Sequence, residues 1–164
     1  MTTTTLKPSY GTPTAITLTT TSLASSSTLL AGRVSTPINN TSDLAVDSIF
    51  GGTIATTSTP TTGTVIEVWL AGSWDNGTTY SAAGGGGDAN LSPSTQANKL
   101  TMAHAITLNQ DNTSARTFTF GPISVAQCFG GTMPDHWAIF VVHNTGQTLG
   151  AATLYYTPVQ YTNG

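Results

Sequence analysis

The sequence predicts an all-β fold: a two-sheet antiparallel sandwich, jelly-roll-like, with an extended N-terminal arm. Three observations predict it. Four basic and seven acidic residues stand among 164, whereas 34 positions are threonine. β-Branched and aromatic residues are correspondingly prominent, and these suit a pleated, half-buried surface. Eight Pro and 17 Gly cut the chain into short segments, several of which alternate apolar and polar residues with period two.

Residues 1–14 are Thr-rich, with Pro8, Pro13 and few large apolar groups. They read as an arm rather than a packed element. Residues 15–164 read as one sandwich domain, long enough to bury a core. Segment 15–20 alternates and reads as a strand, and 28–35 as a second. Pro37-Ile38-Asn39-Asn40-Thr41 reads as a turn. Leu44, Val46, Ile49, Phe50 and Ile54 surround Gly51-Gly52, which predicts one long strand over 43–57, bent or bulged at the glycines. Segment 64–74 is the clearest strand. Its alternation puts Val65, Glu67, Trp69 and Ala71 on one face and Ile66, Val68 and Leu70 on the other. Glu67, the only glutamate, belongs at a sheet edge or in a partnered site. Asp75-Asn76-Gly77 is a turn signal.

Residues 81–98 contain Gly84 to Gly87 and little apolar matter, so they read as a long loop, flexible or ordered by a partner. Strands resume at 99–108, before a turn at Asp111-Asn112, and at 115–120. Ile123 to Phe129 fits a strand or one helical turn. Trp137 to His143 reads as a continuous apolar run, which predicts a central strand buried on both faces. A last strand covers 150–161, for roughly eight strands in all.

Composition also excludes function classes. The net charge is −3, and Lys7, Arg33, Lys99 and Arg116 are scattered. No stripe exists to neutralise phosphates, so no nucleic-acid partner is expected. Cys128 is the only cysteine, which rules out an intrachain disulfide. No apolar run of spanning length occurs, and the first residues lack the apolar region of a secretory signal; no membrane partner is expected.

Catalytic and metal chemistry finds little to work with. His104, His136 and His143 have no ligand spacing such as His-x-x-x-His, so no metal or other cofactor is expected. His136 and His143 are seven residues apart and lie on opposite faces of an extended strand. Asp135-His136 lacks a Gly-x-Ser-x-Gly elbow. Cys128 sits in an apolar stretch, as a small buried hydrophobe does. The expectation is a protein without catalytic residues. Binding chemistry concentrates in one loop, where Trp74 and Tyr80 offer aromatic faces, and Asp75, Asn76 and Asp88 offer oxygens.

Three pieces of the chain carry a resemblance. The first is Ser22-Leu23-Ala24-Ser25-Ser26 leading into Leu30-Ala31-Gly32-Arg33 and Ile38-Asn39-Asn40. The second runs from Pro60-Thr61-Thr62-Gly63-Thr64 through Val65 to Trp69 and on to Ser73-Trp74-Asp75-Asn76-Gly77. The third joins Phe120-Gly121-Pro122, Phe129 to Pro134, Trp137 to Val142 and Asn144-Thr145-Gly146. Together they make residues 22–150 similar to a family of small tailed-phage structural proteins encoded among head and tail genes. The resemblance implies a virion component, a capsid decoration (cement) protein on the outer capsid surface, with the major capsid protein as partner. It carries no catalytic residue across. An arm containing Thr3, Thr4, Thr5, Leu6, Lys7, Pro8 and Tyr10 would suit that role by adding a strand to an exposed edge of a capsid subunit. Lattice avidity would make up for modest single contacts, and self-association as a homotrimer would match a capsid three-fold. A tail, neck or fibre-associated sandwich that binds carbohydrate or a host receptor shares these traits and is the alternative.

Overall fold

The computed structural model describes residues 5–110 and 114–163. Among them the strands are, in chain order, β1 (Leu6–Tyr10), β2 (Thr14–Ile16), β3 (Gly32–Val34), β4 (Ile38–Asn39), β5 (Asp47–Thr56) and β6 (Thr64–Ser73). They continue with β7 (Ala89–Leu91), β8 (Ala103–Gln110), β9 (Thr117–Ser124), β10 (His136–His143) and β11 (Leu149–Asn163). Two short helices intervene, α1 (Gln96–Lys99) and α2 (Val125–Cys128). The first sheet runs β1-β11-β5-β9, with β2 also on β11. The second runs β7-β3-β10-β6-β8, with β4 also on β10. Every pairing is antiparallel and the order is nested: β2 with β11, β3 with β10, β5 with β9, β6 with β8. The two sheets pack as the expected sandwich.

The core follows the period-two pattern. Phe50, Ile54, Phe118, Phe120 and Leu154 of the first sheet meet Ile66, Val68, Leu70, Trp137, Ile139 and Val141 of the second. Full burial stabilises by about 1.5–3 kcal/mol for each large side chain. Trp137 sits between Phe50, 6.0 Å away, and Tyr156, whose ring is edge-on at 5.7 Å. The bulge expected at Gly51-Gly52 is present as a register shift between β5 and β9. Gly52 has φ of +148°, and a Cβ there would lie 2.1 Å from the Thr153 carbonyl oxygen. Only glycine lets β11 approach so closely.

The second sheet has a second apolar layer on its outer face. Val34, Trp69, Ala71, Met102, Ala138, Phe140 and Val142 pack there. This explains why β10 is buried on both faces, as its continuous apolar run predicts, although it lies in an antiparallel sheet. The cover is the segment 80–102.

Several expectations need correction. Residues 81–98 are ordered by their own chain, as a 3₁₀ turn at Ser81–Ala83, β7 and α1. The strand expected at 28–35 shrinks to β3, because Leu29 has φ of +54° and the Ser26 hydroxyl takes the N–H groups of Leu30 and Ala31. The strand expected from 43 starts at Asp47, because the Asn40 side chain brackets both backbone groups of Ala45 and Leu44 has φ of +47°. The turn at 37–41 contributes β4 before it turns. Residues 123–129 are both things considered, the end of β9 and then α2, capped by Ser124. The described residues hold eleven strands rather than eight. Within the arm, residues 6–10 are β1, hydrogen-bonded to Val159–Asn163 of β11, and 14–16 are β2, with Ile16 buried. Thr3, Thr4 and the Asp111-Asn112 turn lie outside the described residues.

Candidate functional site

The cover of the second sheet, held down at a few anchors, creates an open concavity. It begins where β6 ends, at Asp75-Asn76-Gly77. Asn76 and Gly77 take φ of +59° and +75°, the left-handed region that Asn-Gly favours. Asp75 Oδ1 accepts from the Thr79 and Thr78 N–H groups at 2.8 and 3.2 Å and from the Ser73 hydroxyl at 2.8 Å. These bonds, that of the Thr79 backbone foremost, hold the carboxyl at about 2. Asp135 Oδ2 accepts from the Asn76 N–H at 2.7 Å and ties the turn to the start of β10.

The chain then crosses the outer face of β6. Gly84 sits on Ala71, and Gly85 lies over the Tyr80 ring, where a Cβ would be 2.1 Å from Cδ2. Asp88 anchors the next stretch. Its Oδ1 accepts from Arg33 Nε at 2.8 Å and its Oδ2 from the Thr19 hydroxyl at 2.6 Å. Burial pushes the Asp88 carboxyl up, but the Arg33 and Thr19 hydrogen bonds outweigh it and hold the group at about 2. The Thr95 hydroxyl caps α1 by accepting from the Asn98 N–H. Lys99 ends the helix and is 3% exposed. Its Nζ donates to Glu67 Oε2 at 2.8 Å and to the Leu29 carbonyl at 3.0 Å, 5.0 Å from the Trp69 ring centre. Trp69 Nε1 donates to the same Glu67 oxygen at 2.9 Å. Glu67 is thus the partnered glutamate, not an edge residue.

Between cover and sheet lies an open groove of ≈ 870 Å³, within the range of small-molecule sites. Gly72 is its floor. Trp74, Tyr80, Leu91, Pro93 and Phe129 give it apolar walls, and Ser92, Ser94, Asn98 and Thr101 give it hydroxyl and amide groups. Trp74 is 59% exposed, and the Phe129 ring meets it perpendicularly at 6.3 Å. Phe129 in turn rests on Gly72, where a Cβ would lie 2.8 Å from its ring.

The groove brings together Trp74, Asp75 and Tyr80 of the loop singled out by sequence. Asn76 stays on the turn, and Asp88 lies on the Arg33 anchor. Thr5 is exposed ahead of β1, which holds Leu6, Lys7, Pro8 and Tyr10. Phe129, Leu91 to Ser94, Asn98 and Thr101 escaped the sequence reading. Their one signal is the Thr95 cap with Lys99 four residues on, the mark of a short helix within a polar stretch.

The titratable groups are dispersed. His104 stacks edge-on against Trp69 at 4.7 Å, and its Nε2 lies 2.9 Å from the Thr107 hydroxyl. His136 Nδ1 is 3.3 Å from Asp135, whose other oxygen holds the turn. His143 is buried between Thr145 and the Leu23 carbonyl, and burial pushes its pKa below the ordinary 6.5. Burial likewise pushes the Cys128 thiol up, with Asp47 adding to it. Among the described residues no group of three or more His, Cys, Asp or Glu side chains converges as a metal would need, and no helix is long and apolar enough to cross a membrane. The groove's lining offers flat aromatic surface, neutral donors and acceptors, and one carboxylate already held by its own turn. No known family model matches the chain, and neither does a curated protein or a solved structure.

Proposed function

We propose that this chain is a non-enzymatic structural protein of a tailed-phage virion, a decoration protein that binds the outer surface of the head lattice and stabilises it. One observation carries the reading: the two sheets are treated unequally. The second is covered on its outer face, while the outer face of the first has no covering segment among the described residues. The pairing Tyr10 to Val159 and Pro8 to Tyr161 puts Leu6, Pro8 and Tyr10 on the same side as Val159 and Tyr161. Tyr10 is 69% and Tyr161 60% exposed, and Leu6 and Tyr155 are exposed beside them. A contiguous apolar, aromatic-rich face open to solvent is the mark of an interface. Low net charge limits repulsion between closely packed copies, and a trimer on a capsid three-fold would use the remaining edges. The resemblance to phage structural proteins supplies the partner, the major capsid protein.

The docking element is then the β1–β11 ribbon rather than a free arm. A cryo-EM reconstruction of the parent particle tests it. Density for this 16.8 kDa chain on the outer shell, with the β1–β11 face toward the capsid, is the expected result. Density confined to the tail, neck or fibre rejects decoration and favours the adaptor or receptor-binding alternative. In solution, Tyr10→Ser with Tyr161→Ser should abolish co-sedimentation with undecorated heads while leaving circular dichroism unchanged.

A further inference from the structure

We propose that the groove between the second sheet and its cover is a binding site for a neutral saccharide, separate from the β1–β11 face. Four features argue for that class. First, Trp74 is exposed yet positioned, since Phe129 meets its ring edge-on at 6.3 Å and is itself seated on Gly72. A flat apolar surface that is ordered beforehand loses little entropy on binding. Second, the groove offers neutral polarity at its rim. Among the described residues, the side chains of Ser92, Ser94 and Asn98 have no hydrogen-bond partner within the chain, so hydroxyl and amide groups stand free for a ligand. Third, Asp75 is the one charged side chain in the lining, and its Oδ1 already accepts three hydrogen bonds. With no Lys or Arg there, phosphate or carboxylate ligands would be desolvated without a partner. Fourth, a volume of ≈ 870 Å³ open to solvent suits a chain end that enters while the rest of the glycan stays outside.

A neutral sugar ring matches this lining. One face presents C–H bonds, which pack on an indole, and the perimeter presents hydroxyls that both donate and accept. A purely apolar ligand would leave the hydroxyl and amide rim without partners.

The test uses the full chain on an array of neutral and acidic glycans. Hits are followed by calorimetry and by acrylamide quenching of tryptophan fluorescence. Trp69 and Trp137 are buried, so quencher access reports mainly on Trp74. The expected result is saturable binding of at least one neutral glycan that shields Trp74. Trp74→Ala should weaken that binding roughly tenfold or more, and Asn98→Ala should weaken it with the aromatic wall intact. Tyr161→Ser should bind as the parent does. An array with no neutral hit, a preference for acidic glycans, or unweakened binding by folded Trp74→Ala would each overturn the proposal.

Discussion

Lys99→Met is the most informative single substitution in this molecule. Lys99 Nζ is held by Glu67 Oε2 and the Leu29 carbonyl, with its side chain 4% exposed. Methionine keeps most of the stem's packing against Trp69 but leaves the Glu67 carboxylate with only the Trp69 N–H. Removing one partner of a buried ion pair costs about 3–5 kcal/mol, chiefly because the other charge stays buried. The Glu67 side chain retains 16% exposure, which places the expected cost at the lower end, about 3 kcal/mol. For a domain of this size that corresponds to a fall in Tm of about 6–12 °C. Urea unfolding followed by tryptophan fluorescence measures it. Limited proteolysis within 81–98 should accelerate in parallel, because Lys99 pins α1 and with it the cover. The double variant Lys99→Met/Glu67→Gln removes both charges and keeps an acceptor for Trp69, so it should recover at least half of the loss, giving a coupling energy above about 1 kcal/mol. A Lys99→Met protein within about 0.5 kcal/mol of the parent would refute the argument that this pair holds the cover down.

Four further outcomes rest on other parts of the molecule. Gly52→Ala drives a Cβ to 2.1 Å from the Thr153 carbonyl oxygen at φ of +148°, so thermal denaturation should show a loss of at least about 2 kcal/mol. Gly63→Ala, with φ of +80° and open space around it, should cost only the backbone strain, about 1 kcal/mol. Stability should also depend on pH in two steps. His143 is buried with its pKa pushed down, so the unfolded chain binds the proton first and stability declines as pH falls below about 6.5. Asp75 and Asp88 sit at about 2 instead of 3.8, so their contribution is present above pH 3.8 and is lost as pH falls from there toward 2. His143→Gln should remove the first step and leave the second, as read by urea midpoints between pH 7 and 2. Deleting residues 1–10 removes a strand whose side chains are mostly exposed, and should change stability by about 1 kcal/mol or less; a collapse in Tm would show β1 to be part of the core instead.

Some elements were legible because one strand's own residues determine them. In β6 the alternation of Ile66, Val68 and Leu70 with Trp69 and Ala71 sorts side chains to two faces before any partner is known, and the structure puts them in the two apolar layers. The run from Trp137 to Val142 announces burial on both sides for the same reason. The bulge at Gly51-Gly52 is legible from the paired glycines within an apolar strand. The groove was only half legible. Trp74 and Tyr80 flank a readable turn, but Phe129 reaches the same place from α2, more than fifty positions along the chain, through a ring seated on Gly72.

The residues 81–98 show where local reading ends. Their glycines and polar groups signal no periodicity, since they cover a surface by anchoring at a few points: Asp88 to Arg33 and Thr19, Lys99 to Glu67, and Gly84 on Ala71. The hydrogen bonds among these join positions 32 to 69 residues apart, and no pattern within a window of ten can encode them. By itself the sequence determined the all-β class, the faces of the central strands and the scarcity of charge. Which face is covered, which stays open, and which aromatic side chains meet in a groove were decided by tertiary structure alone, because those outcomes depend on pairing distant segments rather than on the period of any one of them.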